Sequence, residues 1–260
     1  MNSPRAERDR AALPPMSVRL HAVATRQWEQ WSPPRPRRAA TVVLLRDSSH
    51  SSPPGHARLQ VYLVRRAPSM AAAPDMHVFP GGGLAAADGP ADEPASLVRA
   101  AIRELHEETG VLLEDASRLV PFARWVTPEV LPHRHDTEFF GLAITAAEQP
   151  RLVGTEAVSD LWVHPQEALS RAAAGEMDML PPTSAALELL RHAPDVQSAL
   201  AVLRMRSGEI RALMPAPRFV DGDLEWFLAD ALAAGQPVAP AMVGLPADWR
   251  PAVPVVSPQS

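Results

Sequence analysis

The 260-residue sequence contains no cysteine, which excludes a disulfide framework, a thiolate metal site and a cysteine nucleophile. It also contains no lysine, because all 25 basic residues are arginine. The absence of lysine excludes Schiff-base chemistry and a phosphate-binding loop that depends on a lysine. No apolar run approaches the roughly 20 residues that a membrane-spanning helix needs. A cation that binds a substrate phosphate is therefore expected to be an arginine.

Charge and composition narrow the class of protein further. The net charge is −5 and 46% of the residues are hydrophobic, which favours a soluble globular protein over a general nucleic-acid binder. The N-terminus lacks the apolar core of a secretory signal, and Glu7 and Asp9 argue against a transit peptide. We expect a cytoplasmic protein with a small-molecule partner and no nucleic-acid or membrane partner. Whether it forms a homodimer is left open.

Three glutamates share one face of a predicted helix. Residues 96–109 have the apolar periodicity of an amphipathic helix, and Gly110 follows where a left-handed residue commonly ends a helix. Positions three and four apart lie on the same face, which places Glu104, Glu107 and Glu108 within an arc of about 100°. Carboxylates this close repel each other, and Mg²⁺, which prefers oxygen ligands, would relieve that repulsion. The alternative for the glutamates alone is a solvated acidic face.

The sequence around these glutamates forms a longer motif. Phe79-Pro80-Gly81-Gly82-Gly83 comes first, and Arg103-Glu104-Leu105-His106-Glu107-Glu108-Thr109-Gly110-Val111 follows. Together they resemble the second half of the Nudix box of the Nudix hydrolases. The resemblance covers roughly residues 39–215. It implies a Nudix fold, which is an α/β/α sandwich with a mixed sheet and a central metal-binding helix, here with extra C-terminal helices, and a pyrophosphohydrolase acting on phosphoric anhydrides.

The resemblance also assigns roles to individual residues. Glu104, Glu107 and Glu108 would bind Mg²⁺ or Mn²⁺, and Arg103, Glu104 and Glu107 would act in catalysis. Glu104 or the loop residue Glu156 is a candidate for the general base. The candidate substrate-binding residues are Arg66, whose guanidinium suits a phosphate, and Gly81, Gly82 and Gly83, whose backbone can approach metal and phosphate closely.

One position departs from the family pattern. The family has a glutamate eight residues before the box arginine, and Ala95 stands there in this sequence. The linker between Gly83 and the helix carries extra residues, so Asp92 or Glu93 is a candidate for the missing carboxylate. The partner of Arg103 therefore stays open.

Further segments resemble the coenzyme A diphosphatase-like branch of the family, including its peroxisomal type. They are Met76-His77-Val78-Phe79-Pro80-Gly81-Gly82, Trp125-Val126-Thr127-Pro128, His135-Asp136-Thr137-Glu138-Phe139-Phe140 and Leu180-Pro181-Pro182-Thr183. The upstream coenzyme A signature is partial, because Arg66-Ala67 fits it whereas Ala71 and Asp75 replace an arginine and a glycine.

This branch implies coenzyme A or its thioesters as the substrate, with ADP-ribose or a dinucleotide as the alternative. Arg66 is the first candidate for binding the 3′-phosphate of coenzyme A, and Arg134 is the second. Trp125, Phe139 and Phe140 are candidates for stacking an adenine, although buried sheet aromatics are the commoner role. A different class of function is a Nudix module that senses a nucleotide without cleaving it.

The chain divides into an N-terminal leader (1–38), a Nudix hydrolase domain (39–215) and a C-terminal extension (216–260). Apolar runs predict strands over Ala39–Leu45, Leu59–Val64, Leu119–Val126, Asp136–Thr145 and Val158–Val163. Helical patterns cover Pro165–Ala174, Pro182–His192 and Asp195–Arg206, and Ile210–Met214 predicts a short strand. In the leader, Trp28 and Trp31 are expected on a short helix over Val23–Trp31, docked on the domain. One amphipathic segment, Leu224–Ala234, lies in the extension.

Overall fold

A computed structural model describes residues 13–48, 57–70, 72–208, 210–231 and 237–238. Its strands are β1 Arg37–Asp47, β2 Leu59–Arg66, β3 His77–Val78, β4 Gly81–Gly83, β5 Val120–Val126, β6 His135–Ala143, β7 Ala157–Val163, β8 Ala212–Val220, β9 Asp223–Asp230 and β10 Pro237–Val238. Its α-helices are α1 Met16–Thr25, α2 Pro94–Thr109, α3 Pro165–Ala173, α4 Pro181–Leu190 and α5 Val196–Arg206. The predicted strands and helices between residues 39 and 206 are confirmed, with ends that shift by one or two residues.

The strands form one mixed sheet. Its order is β10-β9-β8-β5-β6-β1-β2-β3, with β4 paired to β1 and β7 paired to β2. The β1–β6 and β5–β8 pairs are parallel, and the remaining pairs are antiparallel. The first half of β1 pairs with β4 and its last residues pair with β2. The glycine-rich strand β4 is therefore held against the middle of the sheet.

Each face of the sheet has its own hydrophobic core. On one face, Val42 and Leu44 of β1 pack against Leu97 and Leu105 of α2. On the other face, the alternate β1 residue Val43 packs in a core that α3, α4 and α5 complete. The alternation follows from the two-residue side-chain period of a strand. The predicted α/β/α sandwich is confirmed.

The N-terminal segment differs from the prediction. The helix α1 begins at Met16 and ends at Thr25, because Arg26 adopts a left-handed conformation with φ of 58°. The predicted helix over Val23–Trp31 is therefore wrong in its bounds. Docking of the leader is confirmed for Trp31, which is 7% exposed and donates a hydrogen bond from Nε1 to the carbonyl of Glu129 over 2.8 Å. Trp28 is 37% exposed.

The C-terminal part of the described chain continues the sheet. The short strand predicted over Ile210–Met214 overlaps the start of the longer strand β8, and the predicted domain division after residue 215 falls inside β8. The described part of the amphipathic segment Leu224–Ala234 is mostly strand β9, which pairs with β8 along its whole length. In the described ranges, no helix has the length and apolar character needed to cross a membrane.

Trp31 and Trp28 test whether the leader contributes to stability. We expect Trp31→Ala to lower the free energy of unfolding by about 3–5 kcal/mol, because it empties a buried site and leaves the Glu129 carbonyl without its donor. Trp28→Ala, the matched control, should lower it by less than about 1 kcal/mol. Urea unfolding of both variants measures the difference, and equal losses would show that Trp31 does not anchor the leader.

Candidate active site

Helix α2 begins and ends at residues suited to those positions. Pro94 occupies its first turn, where its missing N–H is not needed. Gly110 ends it in the left-handed conformation, with φ of 69° and its N–H bonded to the carbonyl of His106. Leu97 and Leu105 are buried against the sheet, which turns the face carrying Glu104 and Glu108 toward the glycine strand β4.

The Arg103 guanidinium connects the helix to the glycine strand. Its Nη1 donates to Oε1 of Glu104 over 2.8 Å and to Oε2 of Glu107 over 2.9 Å. Its Nη2 donates to the carbonyl of Gly83 over 2.9 Å. The guanidinium of Arg103 therefore brings three other predicted site residues, Glu104, Glu107 and Gly83, together.

The partner of Arg103 that the sequence left open is Asp88. This carboxylate is 4% exposed and accepts from Arg103 Nη2 at 2.8 Å and from Nε at 3.1 Å. Neither of the two candidates from the linker fills this role, since Glu93 pairs with Arg99 over 3.2 Å and Asp92 makes no contact with Arg103. The hydrogen bond from Arg103 holds the pKa of Asp88 below its ordinary value despite burial.

The signal for Asp88 lay in the linker rather than in the helix. Asp88 closes a single 3₁₀ turn over Ala86–Asp88, and its Oδ2 accepts from the N–H of Ala85 over 2.8 Å. Asp-Gly-Pro is a turn sequence, and here it ends that turn. The linker has extra residues between Asp88 and the helix, so Asp88 lies farther from Arg103 in sequence than the family glutamate does. The family spacing of eight residues before the arginine therefore leads to Ala95 and misses Asp88.

The glycine strand approaches two of the glutamates closely. The backbone N–H of Gly81 donates to Oε2 of Glu108 over 2.9 Å. A Cβ on Gly82 would collide with the carboxyl group of Glu104. Glycine at position 82 is therefore required for the carboxylate of Glu104 to lie against the backbone of β4.

Burial and mutual repulsion disfavour the charged forms of these carboxylates. Burial, together with a smaller contribution from the charge of Glu104, raises the pKa of Glu108 to about 7, and the hydrogen bond from Gly81 opposes this rise. Burial also raises the pKa of Glu104, which the hydrogen bond from Arg103 opposes. The charges of Glu107 and Glu156 raise the pKa of Glu104 as well. A nearby cation is the element that would reverse these shifts.

The donor set fits a hard divalent cation. Glu104, Glu107 and Glu108 supply only carboxylate oxygens, which are the ligands that Mg²⁺ prefers. Across the described ranges, no group of three histidine, aspartate or glutamate side chains is already arranged around one point as metal ligands. Arg103 accounts for the absence of such a group at α2, because its guanidinium binds one carboxylate oxygen of Glu104 and one of Glu107.

Two further predicted residues lie at the same site. Arg66 and Glu156 line a shallow groove together with Glu108. The backbone carbonyl of Glu156 accepts from the N–H of Ala67 over 2.8 Å, which fixes this loop beside the end of β2. Arg66 donates from Nε to the carbonyl of Ala72 over 3.0 Å. The positive charge of Arg66 opposes the raised pKa of Glu108, in keeping with its place at the carboxylates.

Arg134 is not available for a substrate phosphate, contrary to its place as second candidate. It is 9% exposed. Its guanidinium donates to the carbonyls of Thr127 and Pro34, each over 2.9 Å, and to Sδ of Met214. Arg134 thus ties the leader and the loop after β5 to the sheet.

The three aromatic candidates for base stacking separate onto two faces of the sheet. Trp125 and Phe139 line a cavity of about 430 Å³ on the face of α4 and α5. Phe140 packs beneath α2 in the opposite core and is buried, which is the commoner role of a sheet aromatic. None of the glutamates of the carboxylate site lines this cavity. Trp125 and Phe139 are buried core residues as well, so stacking of a base by either one stays a prediction.

The Asp88–Arg103 pair can be tested against the linker carboxylates. Asp88→Asn keeps the shape but removes the charge, so we expect a loss of about 1–3 kcal/mol in stability and of about 10–100-fold in kcat/KM through misplaced glutamates. Glu93→Gln is the matched control, because its carboxylate pairs only with the exposed Arg99, and its activity should stay near wild type. Equal activity losses in the two variants would contradict the assignment of Asp88.

Comparisons with known proteins identify the family of this chain. The NUDIX domain model matches residues 35–182. A NUDIX hydrolase from Alicyclobacillus acidocaldarius is 27% identical, with 64% of this chain and 96% of that chain covered and a TM-score of 0.55. A MutT NUDIX hydrolase from Burkholderia pseudomallei is 20% identical, with 60% and 98% covered and a TM-score of 0.44. A search of curated proteins returned no match.

The family model spans more than half of the chain, and it contains the glycine strand, Asp88 and the whole of α2. The expected enzyme class, a pyrophosphohydrolase, is confirmed with it. The chain belongs to the NUDIX domain family.

Proposed function

We propose that this protein hydrolyses the diphosphate linkage of a nucleoside diphosphate derivative at the carboxylate face of α2. The observation that supports this proposal is the pair of partly buried glutamates, Glu104 and Glu108, held against the backbone of the glycine strand. Their repulsion and raised pKa values would be relieved by a divalent cation that a diphosphate shares.

Nudix hydrolases generally need divalent metal ions, and we assign the ligand positions to Glu104, Glu107 and Glu108. When bound, Mg²⁺ or Mn²⁺ supplies Lewis acidity that neutralises charge on the diphosphate oxygens and acidifies water. Arg103 holds Glu104 and Glu107 in position and can release one oxygen of each to the metal, since Asp88 and Gly83 keep its other nitrogens bound.

Proton removal from the attacking water requires a carboxylate within hydrogen-bond reach. Glu104 and Glu156 are the two candidates, because the charge of each bears on the other carboxylates of the site. Glu104 is half-buried and rigidly held by Arg103, whereas Glu156 is exposed at the groove. We assign Glu104 the positioning of the metal and the water. Glu156 stays the second candidate for the carboxylate that removes the proton.

Turnover separates hydrolysis from the alternative of a nucleotide sensor. The intact set of glutamates favours hydrolysis, since a sensor has no need for three carboxylates that repel each other. Incubation of the purified chain with Mg²⁺ and a panel of diphosphates, followed by product identification by mass, tests the proposal. Binding of a nucleotide without products would contradict it.

The glutamates can be tested one at a time. We expect Glu107→Gln and Glu108→Gln each to lower kcat by at least about 100-fold at saturating Mg²⁺, since a neutral amide is a poor ligand for a hard cation. Both variants should remain folded. Glu114→Gln is the matched control, because it removes an exposed carboxylate after the helix. Near-normal rates in both helix variants would exclude the α2 face as the metal site.

Coenzyme A stays a prediction for the substrate. Because the guanidinium of Arg134 is bound to backbone carbonyls, Arg66 is the remaining candidate for binding a substrate phosphate. Arg66 lines the groove of Glu108 and Glu156. This position suits the diphosphate itself, which coenzyme A and ADP-ribose share, because the remaining guanidinium nitrogens can bind it as a fork. We therefore propose that Arg66 binds the diphosphate rather than a 3′-phosphate.

Three substrates distinguish these roles of Arg66. We expect Arg66→Ala to lower kcat/KM for coenzyme A, dephospho-coenzyme A and ADP-ribose by a similar factor of about 10–100, as expected for one lost charge-assisted contact. Arg65→Ala removes a neighbouring arginine that pairs with Asp75 over 3.0 Å, and it should change these values little. A loss confined to coenzyme A would instead assign Arg66 to the 3′-phosphate and support coenzyme A as the substrate.

A further inference from the structure

A row of residues crosses the sheet on the face that carries α2. Gly82 in β4, Ala40 in β1, Glu138 in β6 and Arg124 in β5 are successive register partners. Register partners project to the same face of a sheet, and Ala40 belongs to the core beneath α2. The carboxyl group of Glu104 lies over Gly82. The backbone of Glu138 is therefore two strand spacings, roughly 10 Å, from that end of the row.

The two arginines near Glu138 are already bound by another carboxylate. Asp136 accepts from Arg124 Nε at 2.7 Å and Nη2 at 2.6 Å, and from Arg38 Nη1 at 2.8 Å. These bonds hold the pKa of Asp136 below its ordinary value although burial opposes them. Asp136 is thus fully paired, and it fixes both guanidinium groups beside Glu138.

Glu138 is partly buried, and its carboxylate accepts no hydrogen bond from the residues that the structure describes. Its side chain is 24% exposed, and its ion pair in the described part of the chain is a contact of 3.7 Å with Arg38 Nη2, which is too long for a hydrogen bond. Burial raises the pKa of Glu138 above its ordinary value. A carboxylate in this state costs free energy, and the charges of Arg38 and Arg124 oppose the raised pKa without reversing it.

We propose that Glu138 binds the ribose hydroxyls of the nucleoside half of the substrate. The inference rests on the proposed function, which places the diphosphate at Glu104. An ionised carboxylate only accepts hydrogen bonds, and the two neighbouring hydroxyls of a ribose offer two donors. A carboxylate that binds a ribose hydroxyl recurs in nucleotide-binding folds.

The position of Glu138 fits this role. A separation of roughly 10 Å along the row is comparable with the distance from a cleaved diphosphate to the ribose hydroxyls of the same nucleotide. A phosphate at this position would meet the charge of Glu138, while Asp136 holds both adjacent guanidinium groups. The subsite would therefore favour a ribose with free hydroxyls, such as that of ADP-ribose, over the 3′-phosphorylated ribose of coenzyme A, which makes ADP-ribose the substrate that this inference supports.

Binding of ADP and of 2′,3′-dideoxy-ADP in the presence of Mg²⁺, measured by calorimetry, tests the assignment. Wild type should bind ADP at least about 10-fold more tightly, as hydrogen bonds to a charged group imply. In Glu138→Gln the ratio should fall toward one through weaker binding of ADP, with the dideoxy ligand little affected. Glu225→Gln, which removes an exposed carboxylate of β9, should keep the wild-type ratio.

Three results would overturn the inference: equal affinities in wild type, an undiminished ratio in Glu138→Gln, or no binding of ADP. Should Glu138→Gln not fold, Glu138→Asp keeps the charge but shortens the reach, and it must narrow the ratio. Hydrolysis tests the proposed function separately. Wild-type protein that cleaves ADP-ribose but binds the two ligands equally would contradict the ribose assignment alone.

Discussion

The ion pair between Arg103 and Asp88 is the interaction on which the carboxylate site depends. It joins a helix to the linker that precedes it, and the same guanidinium reaches Glu104, Glu107 and the carbonyl of Gly83. A planar fork with several fixed donors can bind these groups at once, which an ammonium group could not do with the same geometry. In a chain without lysine, arginine carries this role alone.

The site also shows how a fold can hold like charges together. Glu104 and Glu108 lie against glycine backbone in a partly buried position, and burial raises the pKa of both. The cost is offset locally by Arg103 and by the N–H of Gly81. A divalent cation bound at this face would remove the penalty that the repulsion imposes on the folded chain.

The pairing of the strands determines which polar side chains lie near the carboxylate site. Gly82, Ala40 and Glu138 lie in one row because β4 and β6 pair with opposite edges of β1. Asp136 and Glu138 are two residues apart on one strand, yet only Asp136 accepts hydrogen bonds from both arginines, whereas Glu138 makes an ion pair of 3.7 Å with Arg38. Side chains from distant segments thus meet on one surface, while the aromatic cavity of Trp125 and Phe139 opens on the other face.

The sequence by itself determined the elements with strong local signals. The period of α2, its Gly110 end and the apolar runs of β1, β2 and β6 follow from local pattern along the chain, and the structure confirms them. The resemblance to the Nudix box was also visible in the sequence, and the family model confirms it. Local pattern failed in the leader, where the helix ends at Thr25 through the left-handed Arg26, and the tryptophans lie beyond it.

Tertiary structure alone decided which charged groups meet. The partner of Arg103 is Asp88 rather than a nearer linker carboxylate, since a tight turn returns the chain to the helix. Arg134 is exposed or buried according to how the leader packs, and it proves to be buried. Phe139 and Phe140 are neighbours in sequence but face different cores. These outcomes depend on contacts between residues far apart in the chain, whose energies no local pattern contains.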